Sequence, residues 1–316
     1  MPIPRSLWTR TCGVAILLWS AGAALPATSQ DPPPHALFSS RTDLVVLHVS
    51  VVDRKSGFVS GLSREAFTVY EDGKPQAIQF FRNEDTPVTV GLAIDNSGSM
   101  QPKRDAVIAS GLAFADSSHP QDEMFTMNFN ERVWPGLRGH PFTSDHGELR
   151  TALAASTARG QTALFDAIAA SLSQLAGGHQ QKRVLIVISD GGDNASRTRF
   201  DDVLDRALRT NVVVYTVGLY DQYDDDANPK VLKQLAAATG GEAFFPRHTE
   251  EVTHILQRIA TDIRSGYSIG YVPDATRGHG FRAIRVTVRP PDGRKVSVRA
   301  RRGYVLPSPD EDDERQ

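Results

Sequence analysis

Apolar positions along the chain follow two different rules. Residues 44–52 form a dense β-branched run and residues 66–70 and 77–81 are shorter stretches, with Glu71-Asp72-Gly73-Lys74 as a hairpin turn. This first block predicts strands only. From Pro87 the pattern alternates. Residues 88–94 are an apolar run, as expected of a strand buried on both faces, whereas residues 101–116 repeat apolar side chains at helical spacing. Further strands are expected at 124–129, 184–189, 212–217 and 243–245, and further helices at 149–155, 163–176, 200–209, 231–238 and 249–264. Gly240-Gly241 should stop the helix over 231–238. Thr249 is the expected cap of the last helix, with Glu250 and Glu251 suiting the dipole of its first turn. Beyond Gly266, strands return at 267–272, 281–289 and 296–301, around a turn at Pro290-Pro291-Asp292-Gly293.

Strand–helix alternation over 84–265 predicts an α/β domain, a doubly wound and mainly parallel sheet with helices on both faces. The flanks, 43–83 and 266–306, each offer too few strands for a core of their own. They are expected to pair into one β-sandwich-like domain that flanks the α/β domain or receives it as an insertion. Two independent β appendages are the alternative.

The first residues carry a different signal. Arg5 and Arg10 precede an apolar stretch at 12–19, and small residues and Pro26 follow. This is the pattern of a secretory signal over 1–29, with cleavage after Ala24 or Ser29. An uncleaved anchor competes, but the apolar core is short beside the roughly 20 residues that span a bilayer. Residues 30–42 read as a linker and 307–316 as a charged, disordered tail. Cys12 is the only cysteine, so the mature chain is expected to have no disulfide, thiolate nucleophile or cysteine zinc site. No other segment is long and apolar enough for a transmembrane helix, so none is expected in the mature chain. The expected location is periplasmic or secreted. A net charge of -2, with no basic cluster among aromatics, argues against nucleic acid as a partner.

Candidate chemistry sits at strand ends. Asp95, Ser97 and Ser99 are alternate residues on a tight loop after the apolar run 88–94, where Gly98 is expected to relieve the turn. Asp190 holds the same position after 184–189, followed by Gly191-Gly192. Between them, Thr162 opens the helix over 163–176, either as its cap or with its hydroxyl facing the crevice. In an open parallel sheet, that crevice lies outside the carboxyl ends of the strands where strand order reverses. Two carboxylates and three hydroxyls form an oxygen-only set that suits a hard cation such as Mg²⁺, with Mn²⁺ or Ca²⁺ as alternatives. The competing readings are that Ser97 or Ser99 caps the following helix, and that Asp95 and Asp190 bind loop amides.

Asp95-x-Ser97-x-Ser99, Thr162 in Gly-Gln-Thr-Ala-Leu-Phe-Asp-Ala, and Asp190 in Ile-Ser-Asp-Gly-Gly-Asp-Asn resemble the metal-ion-dependent adhesion site of von Willebrand factor A domains. The flanking Tyr-Ser-Ile-Gly-Tyr at 267–271, Phe-Arg-Ala-Ile-Arg-Val at 281–286 and Arg-Arg-Gly-Tyr at 301–304 are similar to exported bacterial VWFA-related proteins, common in acidobacteria. The resemblance implies an extracytoplasmic binding module rather than an enzyme. Its divalent cation would bridge to an Asp or Glu of a protein partner, with all five positions as ligands.

Two other functions stay open. A Mg²⁺-dependent phosphoryl-transfer hydrolase also places an Asp at a strand end, but expects a second Asp where Ser97 stands. A structural envelope protein would use the metal only for stability. Asp193 reads as a solvated loop carboxylate in preference to a group behind the metal ligands. Asp166 reads as a structural hydrogen-bonding group and Phe165 as core. Asp221 with Asp224, Asp225 and Asp226 could form a Ca²⁺-like site, but lacks the glycine and downstream Glu of a calcium loop. The nine histidines share no zinc-ligand spacing.

Overall fold

The computed structural model describes residues 44–306 apart from 56, 84, 156, 221–226 and 275–278. The expected signal, linker and tail, and the Asp221–Asp226 cluster, lie outside the described residues.

The first block folds as β1 (Val45–Asp53), β2 (Gly57–Phe58), β3 (Phe67–Glu71), β4 (Lys74–Gln76) and β5 (Ile78–Arg82). Asp72 and Gly73 both adopt positive φ, 46° and 79°, at the tight turn between β3 and β4. The stretch at 77–81 forms β5, which pairs with β12 in another sheet, and the short β4 just before it pairs with β3.

The α/β block runs β6 (Val88–Asp95), α1 (Arg104–Asp116), β7 (Glu123–Phe129), β8 (Val133–Pro135), α2 (His146–Ala154), α3 (Leu164–Ala176) and β9 (Lys182–Ser189). It continues through α4 (Phe200–Arg209), β10 (Val212–Gly218), α5 (Pro229–Thr239), β11 (Ala243–Phe244) and α6 (Glu251–Ser265). The last strands are β12 (Tyr267–Tyr271), β13 (Gly280–Val288), β14 (Val296–Arg299) and β15 (Gly303–Leu306).

The central sheet has the order β11-β10-β9-β6-β7-β8 and is parallel except for β8. Every residue of β6 and β10 is buried, which explains why these strands are largely apolar and do not alternate. Alternate β6 side chains serve opposite faces. Val88, Val90, Leu92 and Ile94 pack with α1, α2 and α6, through Phe114, Leu149, Leu256 and Ile259. Ala93, with Phe125 of β7 and Val187 of β9, meets α3, α4 and α5 through Leu164, Leu172, Val203 and Leu235. Gly91 is needed for close packing, since a Cβ there would lie 2.5 Å from the Phe125 ring. The chain leaves β6 toward β7 on one side and later leaves β9 toward β10 on the other. The reversal of strand order therefore falls between β6 and β9.

Strands from both ends of the chain share two antiparallel sheets. One has the order β14-β1-β12-β5 with β2 beside β1, and the other β15-β13-β3-β4. They enclose one apolar cluster that includes Leu47, Val49, Val69, Tyr267, Ile269 and Ile284. Inside it Glu71 is fully buried. Its carboxylate accepts hydrogen bonds from Arg282 Nη1 at 2.7 Å, Tyr271 OH at 2.6 Å and Tyr304 OH at 2.9 Å. Arg299 of β14 reaches back to pair with Glu242 and with Asp262 of α6, and Arg301 donates to Leu208 O of α4.

Two expectations change. Thr249 does not cap α6: the residue before the helix is Glu250, and no side chain caps it. The run at 296–301 breaks after Arg299, and a separate strand, β15, forms from Gly303.

Candidate metal centre

The carboxyl ends of β6 and β9 bring Asp95 and Asp190 to the strand-order reversal, because β6 and β9 pair in register up to Ile94 and Ile188. The β6 loop folds back on itself: Asp95 Oδ1 accepts from Ser97 N at 2.8 Å, and the Ser97 and Ser99 hydroxyls lie 3.1 Å apart. Ser99 Oγ then donates to Asp190 Oδ2 at 2.5 Å. Four of the five sequence-derived residues thus form one hydrogen-bonded chain.

The fifth, Thr162, is fixed between the two loops by its neighbours. Gly98 N donates to Gly160 O at 3.1 Å and Arg159 N to Asn96 O at 2.8 Å, tying its segment to the β6 loop. Asn194 N and Ala195 N both donate to Thr162 O at 3.0 Å, tying it to the loop after β9.

Glycine does its work at other positions than expected. Gly98 has no positive φ; Gly160 at 83° and Gly191 at 84° do. A Cβ on Gly160 would also meet the Glu131 carboxylate, and one on Gly191 the Asn228 carbonyl.

The capping readings can be tested directly. Ser97 precedes the 3-10 turn over Gly98–Lys103 without a side-chain cap bond, and α1 has none either. Ala163, not Thr162, precedes α3, again without a side-chain cap. That task falls to the loop after β9: Asp193 Oδ1 accepts from Phe165 N at 3.3 Å, and Ser196 Oγ from Asp166 N at 3.1 Å. Asp193 is therefore engaged rather than simply solvated, and burial pushes its carboxyl pKa up. Asp166 binds the amides of Arg197 and Thr198, as a structural group would, and Phe165 packs against Phe200 with the rings tilted and their centroids 5.6 Å apart. The amide reading is correct in part: Asp95 binds Ser97 N, and Asp190 Oδ1 accepts from Gly192 N at 3.0 Å.

Ser189 was not among the sequence candidates. Its hydroxyl donates to Asp95 Oδ2 at 2.6 Å and accepts from Gly191 N at 3.1 Å, steering the first carboxylate and the second loop together. Its position directly before Asp190 was the available signal. Asn96 is also buried, and its Nδ2 donates to Ile94 O and Asn128 Oδ1, bracing the loop from behind.

Electrostatics separates this cluster from an ordinary turn. Asp95 is 3% exposed. Burial, and then the charge of Asp190, push its carboxyl from 3.8 up to about 7, and the bonds from Ser189 and Ser97 offset only part of this. Two like charges held together out of water favour an added cation. Among the described residues no group of three or more His, Cys, Asp or Glu side chains is placed to hold a metal. The side chains that meet here offer two carboxylates and the hydroxyls of Ser97 and Ser99, with Thr162 held on the adjoining segment, an oxygen set that fits a hard divalent ion and not a soft one.

Comparison with known proteins agrees with this architecture. A model of the von Willebrand factor type A domain matches residues 90–258. No curated protein sequence matches the chain. Among solved structures, a von Willebrand factor type A protein from Catenulispora acidiphila is 14% identical, with a TM-score of 0.51 over 87% of this chain and 76% of that one. Proximal thread matrix protein 1 from the mussel byssus is 13% identical, with a TM-score of 0.51 over 61% of this chain and 51% of its own. The vWF domain of the type V pili tip protein Mfa5 from Porphyromonas gingivalis is 14% identical, with a TM-score of 0.49 over 57% of this chain and 95% of that one. These likenesses concern the fold. Since the matched span takes up more than half of the 316 residues, the chain belongs to the von Willebrand factor type A domain family.

Proposed function

We propose that this chain is a metal-dependent binding module. Asp95, Ser97, Ser99, Thr162 and Asp190 hold one divalent cation, Mg²⁺ or Mn²⁺ before Ca²⁺, directly or through water, and the ion takes an acidic side chain from a protein partner. The observation that carries the reading is the meeting of the Ser97, Ser99 and Asp190 side chains in front of buried Asp95, with neither Ser97 nor Thr162 used as a helix cap.

Two carboxylates roughly neutralise a divalent ion, and its remaining coordination demand makes it an acceptor for a further carboxylate. What the protein contributes is placement. Ser189 and the Ser97 amide orient Asp95, Gly192 N orients Asp190, and the Asn194 and Ala195 amides anchor Thr162. The position two after Asp95 is a serine, which suits ligation better than proton transfer.

The basic-then-apolar start of the chain supports export, to the periplasm or beyond. No helix among the described residues is long and apolar enough to cross a membrane.

Capture of partners on the immobilised full chain from an exported-protein fraction tests the reading. A protein retained in Mg²⁺, released by EDTA and not retained by Asp95→Ala is expected. Retention indifferent to EDTA and to Asp95→Ala would overturn the proposal.

A further inference from the structure

A groove of about 410 Å³ adjoins the candidate cation site, lined by Asn130, Glu131, Arg132, Val133, Trp134 and Arg159. One wall is the hairpin between β7 and β8. Asn130 closes it, since Asn130 N donates to Arg132 O at 2.9 Å and Asn130 Oδ1 accepts from Arg132 N at 3.0 Å. The other wall is the segment that carries Arg159.

Both walls are fastened to the β6 loop. Asn96 N donates to Phe129 O at 2.6 Å, Arg159 N to Asn96 O at 2.8 Å, and Ala163 N to Asn130 O at 2.7 Å. The groove is therefore held in fixed register with Asp95, Ser97 and Ser99, not carried on an independent loop.

Its charge is unusual for its place. The floor of the neighbouring site is acidic, whereas Arg132 and Arg159 are exposed and neither guanidinium forms an ion pair with a described residue. Glu131, the one acid in the lining, lies against Gly160. Trp134 is half-buried and lines the same groove as the two cations. Planar guanidinium groups bind carboxylates in a bidentate manner, and an aromatic face covers the aliphatic stem of the side chain that carries the carboxylate.

We propose that this groove receives an extended acidic segment of the protein partner, with one carboxylate on the cation and a further one on Arg132 and Arg159. The inference rests on the metal-dependent binding reading. It adds the partner's chemistry: more than one acidic side chain in sequence, with the second read by arginine.

The test uses poly-L-glutamate as the probe on the full chain. Mg²⁺ is first titrated into the protein alone, then poly-L-glutamate into the Mg²⁺-loaded protein. The proposal expects wild type to bind poly-L-glutamate, and Arg132→Glu/Arg159→Glu to bind it about tenfold or more weakly with Mg²⁺ affinity unchanged. Arg294→Glu/Lys295→Glu, which reverses charge at an exposed turn of the β part, is expected to leave binding as in wild type. The Arg159 amide bond to Asn96 survives substitution, so the melting temperatures should match.

Three results would overturn the inference and spare the cation: no poly-L-glutamate binding by Mg²⁺-loaded wild type, equal binding by Arg132→Glu/Arg159→Glu, or equal weakening by Arg294→Glu/Lys295→Glu. Failure of Mg²⁺ to bind the protein alone would remove the reading on which the inference rests.

Discussion

Ser99 Oγ donates a hydrogen bond to Asp190 Oδ2 at 2.5 Å, although 91 residues separate the two along the chain. The contact exists because β6 and β9 are neighbours in the sheet and both end at the same edge. It joins the first and last parts of the candidate ligand set, and the site's behaviour follows from what those two side chains share with Asp95.

Asp190→Asn keeps the acceptor for Gly192 N, reverses the Ser99 bond so that the new amide nitrogen donates to Ser99 Oγ, and removes the like charge beside buried Asp95. Without metal, the variant is expected to melt at or slightly above the wild-type temperature. Wild type should gain about 2.7 kcal/mol at a Mg²⁺ concentration a hundred times its Kd, and the variant should gain almost nothing. Thermal melts with and without Mg²⁺ check both halves. A metal-free Asp190→Asn protein that melts far lower would show that Asp190 serves the fold.

Thr162 and Asp193 should separate ligation from helix capping. Asp193→Ala removes the acceptor for Phe165 N at the start of α3 and is expected to cost about 1 kcal/mol of stability, with Mg²⁺ affinity retained. Thr162→Ala should do the reverse. Urea denaturation paired with Mg²⁺ titration of each variant reads the two effects. Equal losses of stability would return Thr162 to the role of a cap.

Glu71→Gln tests the pairing of the two chain ends. It takes the Glu71 charge away from Arg282, which is 3% exposed, while Tyr271 and Tyr304 still find an acceptor. The expected cost is about 3–5 kcal/mol, larger than for Glu71→Leu combined with Arg282→Leu. Urea midpoints for the single and double variants decide it. A single variant as stable as wild type would mean that the buried pair contributes little to the β part.

His48 should shape the acid side of the stability curve. Burial, then the charges of Lys182 and Arg301, hold its imidazole at about 3, so it is neutral in the fold while the unfolded chain takes up a proton near 6.5. Its contribution is therefore complete above pH 6.5 and is lost as pH falls from there toward 3. Between pH 7 and pH 5 the loss is about 2 kcal/mol. His48→Gln should flatten this segment, and urea melts at the two pH values measure it. The same slope in wild type and His48→Gln would assign the acid limb to other groups.

Much of this was legible in the sequence because burial leaves a simple trace. β6, β9 and β10 are covered by helices on both faces, so their runs at 88–94, 184–189 and 212–217 are apolar apart from Thr89, Ser189 and Thr216. Asp95 and Asp190 stand out because a carboxylate directly after such a run marks the strand end. Short edge strands leave no such trace: β8 is only Val133–Pro135, and its pairing with β7 decides it. Nor do contacts between distant residues. Ser189 and Asp193 take their roles from loops that meet only in the fold, and Glu71 looks like half of a turn until Tyr271, Arg282 and Tyr304 converge on it. Gly98 misled for a related reason, since the positive φ that the loops require falls on Gly160 and Gly191.

Isothermal titration of Mg²⁺ into the purified full chain is the most direct measurement. One ion per chain is expected, with binding abolished in Asp95→Ala and retained in Asp193→Ala. A wild-type protein that takes up no Mg²⁺ or Mn²⁺, or an Asp95→Ala protein that binds as wild type does, would contradict the convergence of these side chains on a shared cation.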